Sequence, residues 1–379
     1  MAKGIIRQSK DSASILLIPS GIELHPRYPD VSARLAAWYM MRTCTSKERM
    51  TGNHWINVSW DTAHRKWKHY DQIKNHALES GWLECNHKYC TGIEAKKRGI
   101  QPYTKSYRIA EQYRTGRFVQ YTPKRNTSRP TWVTEHNTRA GQLLSEKLPM
   151  VWLPEDLEPE TYWDAYTFTT IGLGQFYSSR CRYGRFFSPF TSLRSRYRAR
   201  LQSKEDLSRI DIKSSQPLFL AAVAVELWGR VEPDIAHWVE ICQDGDLYQE
   251  FVDYLGGVYT RDECKELFMK VMFAKAPQMA ENPLFPWITE KFPTLRHVLF
   301  QLKTFDHKEV AYKLQRLESG VMIDTVALEY CKVHKVTPLV TVHDEMILPS
   351  RHVGWISKRI TKACKAYGIQ PKLRITENE

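Results

Sequence analysis

Two apolar stretches of the chain each carry an acidic side chain near their centre. In the first, Asp211 stands between Ile210 and Ile212, ahead of a longer apolar run. The second, LVTVHDEMIL at 339–348, is interrupted by Asp344 and its neighbours. Both patterns predict a buried strand, and the first strand leads into a buried helix.

An acid inside a buried strand needs an explanation, because removing a lone carboxylate from water is costly. One interpretation is that local backbone groups hydrogen-bond each carboxylate. The other is that the two strands pair and bring Asp211 and Asp344 to a shared site for two Mg²⁺ ions. Such a site is typical of two-metal phosphoryl and nucleotidyl transfer, and the residues between the strands favour it.

A predicted helix over residues 261–274, RDECKELFMKVMFA, lies between the two strands in the sequence. One stripe of its surface, at four-residue spacing, consists of Arg261, Lys265, Met269 and Phe273. A helix whose first turns are exposed to solvent and whose last turns pack in the protein core would show the same pattern. However, like charges four residues apart repel each other, and a helix start favours anions. The stripe therefore predicts a triphosphate bound by the two cations and a base stacked on the two apolar side chains.

The segment 178–200, SSRCRYGRFFSPFTSLRSRYRAR, holds seven arginines, no acid and several aromatic residues. Arginine with interleaved rings suits phosphate contacts and base stacking. Structural ion pairs are the alternative, but the nearest acids along the chain, Glu205 and Asp206, are too few to balance seven charges. We therefore expect this segment to bind nucleic acid, through Arg185 and Arg194 in particular.

Residues 1–113 show three helical segments followed by two strand-like runs that are separated by a basic loop. This outline is that of a winged-helix DNA-binding domain, with 69–80 as the candidate recognition helix. A small helical bundle that packs on the rest of the chain fits equally well. We expect a basic linker at 114–150 and a second domain at 151–379. A strand-like run near the end of that domain, PKLRI at 371–375, is expected to cover the edge of its sheet.

The composition indicates the partner and the compartment. Fifty-five Lys and Arg against 42 Asp and Glu give a net charge of +13, which favours a polyanionic partner. The eight cysteines show no framework spacing, as is typical of reduced thiols in the cytoplasm. No apolar run reaches the roughly 18 residues of a membrane span. We expect a cytoplasmic protein with no membrane partner.

Taken in order, the Asp211 strand, the helix stripe and the strand containing His343, Asp344 and Glu345 resemble motifs A, B and C of the A-family DNA polymerases. They also resemble the related phage-type single-subunit RNA polymerases. The resemblance covers about 184–349, less than half of the chain. Outside the three motifs, two residues are similar to family positions: Tyr248 resembles a nucleotide-facing residue, and Gln315 a template-side glutamine.

The resemblance implies an α+β fold in which a right-hand polymerase palm, built on an antiparallel sheet with short helical fingers, follows the winged-helix-like domain. It implies that Asp211 and Asp344 ligate two Mg²⁺ ions, or Mn²⁺ as an alternative. The carbonyl of Ile212 would assist as a ligand. Glu345 and His343 would lie beside the primer end.

On the nucleotide side, the resemblance implies that Arg261 and Lys265 hold the triphosphate. Gln216 stands where the DNA polymerases carry a glutamate that excludes a ribose 2′-OH, and it keeps nearly the same bulk. Phe273 lacks the tyrosine hydroxyl usual at its position, and Met269 is closer to the RNA-polymerase pattern. Deoxyribonucleotides are therefore the expected substrates, with looser sugar discrimination.

We expect a template-directed DNA polymerase that adds dNTPs to a primer on a DNA template by two-metal catalysis, without proofreading. A compact polymerase joined to a winged helix is associated with plasmids, phages and other mobile elements. Two alternatives stay open. One is an RNA polymerase or primase that uses rNTPs. The other is a non-enzymatic, DNA-binding replication initiator in which the palm is only a scaffold.

Overall fold

The computed structural model describes residues 16–44, 55–100, 103–123, 138–243, 246–304 and 306–378. It is a mixed α/β structure with small antiparallel sheets and many helices. Two compact units are present. The first comprises Met1–Val133 with Glu158–Leu173, and the second comprises Thr134–Leu157 with Gly174–Glu379.

The described strands, in chain order, are β1 (Leu16–Pro19), β2 (Ile56–Asn57), β3 (Leu83–Cys85), β4 (Ser106–Ile109), β5 (Phe118–Tyr121), β6 (Ser179–Arg180), β7 (Phe186–Phe187), β8 (Leu207–Ile212), β9 (Val340–Val342), β10 (Glu345–Pro349) and β11 (Leu373–Glu377).

The described α-helices are α1 (Pro29–Cys44), α2 (Trp60–Lys66), α3 (Tyr70–Glu79), α4 (Gly92–Arg98), α5 (Arg139–Lys147), α6 (Tyr162–Gly172), α7 (Ser195–Arg198), α8 (Ser215–Trp228), α9 (Pro233–Gln243), α10 (Leu247–Tyr254), α11 (Arg261–Phe273), α12 (Ala276–Ala280), α13 (Phe285–Lys291), α14 (Pro293–Lys303), α15 (Glu309–Ser319), α16 (Leu328–Val333) and α17 (Val353–Lys365). A π-helix, Gly320–Ala327, joins α15 to α16.

The first unit contains a three-stranded antiparallel sheet in the order β2, β4, β3, and a separate pair of β1 with β5. Tyr39 of α1 and Ile73 of α3 are fully buried, and Trp163 and Tyr166 of α6 join the same apolar core. Burial of such large apolar side chains is the main favourable contribution to the folding of a unit of this size.

Two parts of this unit differ from the sequence interpretation. The segment between β3 and β4 was expected as a basic loop, but it contains the helix α4. The Thr91 side chain accepts a hydrogen bond from the Glu94 amide at its start, and Gly99, with φ +65°, ends it. The expected linker at 114–150 contains β5 of the first unit and α5 of the second, and its residues 124–137 lie outside the described residues.

The second unit is organised around an antiparallel sheet in the order β11, β8, β10, β9. Ile210 and Ile212 of β8 face inward, whereas Arg209 and Asp211 alternate to the other face. The tail strand expected at the sheet edge is confirmed as β11, which pairs with β8. The helix α8 that follows β8 is buried along most of its length.

Asp344 does not lie inside a strand, as the apolar run had suggested. Val342 pairs with Glu345, so His343 and Asp344 form a two-residue turn between β9 and β10. His343 takes a φ of +59°, in the left-handed region that tight hairpin turns require. The run is therefore a hairpin, and Asp344 lies at its tip.

Across the described ranges, none of the helices has the length and apolar character needed to cross a bilayer.

Candidate active site

Strand pairing in the second unit brings the two acidic stretches together. β8 and β10 are antiparallel, and Asp211 lies directly opposite Glu345, the neighbour of Asp344. Burial raises the pKa of Asp344, a hydrogen bond with the Ser215 side chain lowers it, and the negative charge of Asp211 raises it again. The two aspartates are therefore close enough to interact electrostatically.

Asp211 is bound by an arginine from the sheet edge. Arg374 of β11 is its register partner, and its guanidinium donates to both carboxylate oxygens, with Nε–Oδ1 at 3.1 Å and Nη2–Oδ2 at 2.5 Å. The Arg374 side chain is 74% exposed. Because the cation is so exposed, this ion pair contributes little to stability and can open at small cost. The sequence placed residue 374 in a strand but did not indicate this contact.

Glu345 is held by two arginines. Arg198 donates to its Oε2 at 2.7 Å, and the Nη1 of Arg209 lies 3.5 Å from its Oε1. The carboxylate thus faces the same side of the sheet as Asp211. A small cleft on this side is lined by Ser195, Arg209, Asp211, Glu345, Arg374 and Thr376.

His343 is a neutral, mostly apolar neighbour of the site. Burial, together with the charges of Arg185 and Arg198, lowers its pKa to about 4. Its ring meets the edge of Phe187 at 5.8 Å between centroids. Its Nδ1 is buried and finds no hydrogen-bond partner within the described part of the chain.

The helix α11 carries the predicted nucleotide stripe. A capping box between Thr260 and Glu263 fixes its start, so Arg261 opens the first turn. Arg261 and Lys265 are exposed on α11, and Met269 and Phe273 are half-buried farther along the same stripe.

Arg261 already has an acidic partner. Its guanidinium donates to Asp246, with Nε–Oδ2 at 2.8 Å, and lies 5.2 Å from the ring centroid of Tyr248. Burial raises the pKa of Tyr248, and the charge of Asp344 is among the further causes that raise it. The Arg261 guanidinium therefore lies close to the Tyr248 ring, and the charge of Asp344 also acts on Tyr248.

Glu318 is a site residue that the sequence interpretation missed. It lies on α15, is 1% exposed, and accepts two hydrogen bonds from Arg185, at 2.8 Å and 2.9 Å. The amide of Gln216 donates to the same carboxylate at 2.5 Å. Burial raises the pKa of Glu318 to about 7, although the charge of Arg185 lowers it. The sequence signal for Glu318 is a single acid in the apolar run LESGVMI, which is the same kind of signal that singled out Asp211.

Four of the seven arginines in segment 178–200 are balanced by acids that are distant in the sequence, which corrects the expectation based only on the nearest acids. Acids from elsewhere in the second unit pair with four of them: Arg180 with Asp324, Arg185 with Glu318, Arg198 with Glu345, and Arg200 with Asp156. Arg185 is therefore engaged inside the protein, and its predicted contact with nucleic acid stays a prediction. Arg194, just before α7, is exposed.

Two further predicted residues take positions near this network. Ile212 is the buried last residue of β8 and pairs with Leu373. Gln315 is half-buried on α15, one turn before Glu318.

The donor atoms at the hairpin tip and at the adjacent end of β8 fit a magnesium ion. Asp211 and Asp344 supply hard carboxylate oxygens, and the mutual repulsion of two like charges favours a cation between them. No group of three or more His, Cys, Asp or Glu side chains placed to hold a metal occurs among the residues that the structure describes. Mg²⁺ commonly takes one or two carboxylates and completes its shell with water and substrate phosphates. Arg374 would have to leave Asp211 first.

No known protein family and no curated protein matches the chain. Among solved structures, it is similar to the POL domain of Pol1 from M. smegmatis, in complex with DNA primer-template and dNTP, at a TM-score of 0.35 and 11% identity. The match covers 56% of this chain and 51% of that chain, so this chain spans about half of the solved one.

Proposed function

We propose that the second unit is a template-directed nucleotidyltransferase that extends a DNA primer with dNTPs. The observation that carries this proposal is the pairing of β8 with β10, which brings Asp211 and Asp344 together at one end of a sheet. A further support is Tyr248, which lies beside Arg261 at the cationic start of α11 and on which the charge of Asp344 also acts. A palm with short helical fingers is the architecture that this proposal implies.

In the proposed site, Asp211, Asp344 and the carbonyl of Ile212 would hold divalent cations, which would neutralise charge on the phosphates and lower the pKa of the attacking hydroxyl. Asp211 becomes available when the exposed Arg374 releases it. Glu345 is already neutralised by two arginines, so it serves to position the primer end, beside the neutral His343.

The nucleotide lies along α11 in this proposal. Arg261 and Lys265 bind the triphosphate, and Arg261 exchanges Asp246 for phosphate oxygens as it does so. The base stacks on Met269 and Phe273. The template and primer contact Arg194 and Gln315, with Arg185 behind them, and Gln216 and Tyr248 face the sugar.

Ribonucleotides are the second candidate substrates. Phe273 carries no hydroxyl, and the amide of Gln216 donates to Glu318. Weaker exclusion of a ribose 2′-OH is therefore expected. An RNA polymerase or primase is therefore the alternative, and separate dNTP and rNTP pools distinguish the two.

We propose that the first unit binds duplex DNA. The order α1, β2, α2, α3, β3, β4, with the short helix α4 inserted between β3 and β4, and the sheet order β2, β4, β3 resemble those of a winged helix, which supports this assignment. Gln72 and Asn75 are exposed on one face of α3, and amides of this kind read adenine in the major groove. The basic side chains of α4, between β3 and β4, are also exposed.

Primer extension tests the proposed activity. The full chain should add nucleotides to a primed DNA template only when Mg²⁺ or Mn²⁺ is present, and Asp344→Ala should reduce the rate by roughly a hundredfold or more because the cation loses a ligand. Asp253→Ala, at an exposed position of α10, is the matched control and should retain the wild-type rate. Equal extension by Asp344→Ala and the wild type would overturn the role of Asp344 as a cation ligand, whereas no extension by the wild type would favour a non-enzymatic initiator.

A further inference from the structure

The ion pair between the half-buried Arg185 and the buried Glu318 joins three segments of the second unit. Arg185 precedes β7, Gln216 opens α8, and Glu318 lies near the end of α15. The backbone before Arg185 approaches α15 closely: Gly184 has a φ of +89°, and a Cβ there would lie 2.8 Å from the Cβ of Ser319. The segment is therefore fixed against α15, and Arg185 is carried with it.

The Arg185 guanidinium lies within electrostatic reach of two acids. It is hydrogen-bonded to Glu318 through Nε and Nη2, and its positive charge also acts on Asp344 and on His343. The half-buried guanidinium of Arg185 needs an acidic partner, because an uncompensated charge that is largely removed from water is destabilising. If the Glu318 carboxylate were lost, Asp344 would be the acid to which Arg185 could turn.

This change of partner would matter because, among the residues that the structure describes, no arginine is hydrogen-bonded to the Asp344 carboxylate. Its bond to Ser215 is neutral. An arginine on this carboxylate would compete directly with a divalent cation for the same oxygens. Glu318 thus keeps Arg185 away from the Asp344 carboxylate, and the positive charge of Arg185 stays nearby.

We propose that Glu318 is a positioning residue. It holds Arg185 and Gln216 so that Arg185 does not pair with Asp344, and Asp344 stays available to a divalent cation. This inference rests on the proposed function in one respect, namely that Asp344 binds the cation.

Mn²⁺ binding to the full chain, followed by electron paramagnetic resonance without nucleotide or DNA, tests this role. Glu318→Gln keeps the size of the side chain but removes its charge, and it should weaken Mn²⁺ binding about tenfold because Arg185 then competes for Asp344. The double variant Arg185→Met with Glu318→Gln removes the competitor and should bind Mn²⁺ as tightly as the wild type. A purely structural role for Glu318 would not produce this rescue.

Two further variants complete the experiment. Glu329→Gln also removes a glutamate from an ion pair, with Arg359 on the surface of the same unit, and should leave Mn²⁺ binding unchanged. The double variant also covers a failure of Glu318→Gln to fold, because it leaves no unpaired buried charge.

The outcomes separate the two proposals. Wild-type affinity in Glu318→Gln, or binding in the double variant that stays below the wild type, would overturn the role of Glu318 while leaving the cation site intact. Equal Mn²⁺ binding by the wild type and Asp344→Ala would instead overturn the cation site itself, and the role of Glu318 with it.

Discussion

The two aspartates of the candidate site are balanced by arginines in different ways. Asp211 is bound directly by the exposed Arg374, whereas Asp344 is hydrogen-bonded to Ser215 and the nearby Arg185 is held by Glu318. Each arginine offsets the repulsion between the carboxylates when a divalent cation is not bound. The direct pair at Asp211 is the one that a cation has to displace.

Replacing Arg374 should therefore strengthen cation binding. In Arg374→Gln the competing charge is gone, and we expect Mn²⁺ affinity, measured by electron paramagnetic resonance, to rise by a few fold, or about 1 kcal/mol. The free energy of unfolding should change by less than about 1 kcal/mol because the pair is exposed. Arg351→Gln, which breaks an exposed pair with Glu205, is the control. Unchanged Mn²⁺ affinity in Arg374→Gln would show that the ion pair does not compete.

At the scale of elements, two buried lysines cap the ends of helices. The Nζ of Lys303 on α14 donates to the carbonyls of Val271 and Ala274 at the end of α11, at 3.0 Å and 2.5 Å. Lys147 of α5 donates in the same way to His334 and Lys335, just after α16. The last carbonyls of a helix have no partner inside the helix, so a lysine there satisfies two of them. Lys303 thereby anchors the helix that carries the nucleotide stripe.

The stability of this anchor should depend on pH. Burial lowers the pKa of Lys303 to about 8, below its value in the unfolded chain, so the folded protein releases the proton more readily. Stability should consequently rise with pH from about 8 towards 10.5, by up to about 3 kcal/mol, while the neutral amine still donates to both carbonyls. The free energy of unfolding in urea, measured from pH 7 to pH 10 for the wild type and for Lys303→Met, tests this: the difference between the two proteins should change with pH. Parallel pH profiles for the two proteins would contradict it.

At the scale of the whole molecule, the net charge of +13 is the simplest feature that favours a nucleic-acid partner. Three of these charges, Lys96, Lys97 and Arg98, are exposed on α4 in the first unit. If this unit binds duplex DNA, replacing all three with Ala should weaken binding at low salt. The slope of log affinity against log salt should fall by up to about one per cation removed.

A matched triple variant separates position from charge. Lys358, Lys362 and Lys365 are exposed on α17 of the second unit, and replacing them with Ala removes the same net charge. Duplex binding, measured by fluorescence anisotropy at several salt concentrations, should change less in this variant. Equal losses in the two variants would show that the total charge, and not α4, controls the affinity.

Local sequence patterns predicted a good part of this architecture. The strand around Asp211, the helix that begins at Arg261 and the tail strand each follow from periodicity and capping within a few residues. The contacts that define the site are of another kind. Arg185 and Glu318 are 133 residues apart, and Arg374 and Asp211 are 163 apart. Periodicity indicates which face of an element is buried, but it does not indicate which distant side chain meets it there.

The route of the chain between the two units has a practical result. Residues 134–157 belong to the second unit, and α6 then returns to the first, where Trp163 and Tyr166 complete the apolar core. Consequently, no single proteolytic cut releases the first unit whole, and a fragment that stops at residue 133 lacks two of its large aromatic side chains. During synthesis, the apolar core of this unit is expected to be complete only after residue 173 has left the ribosome.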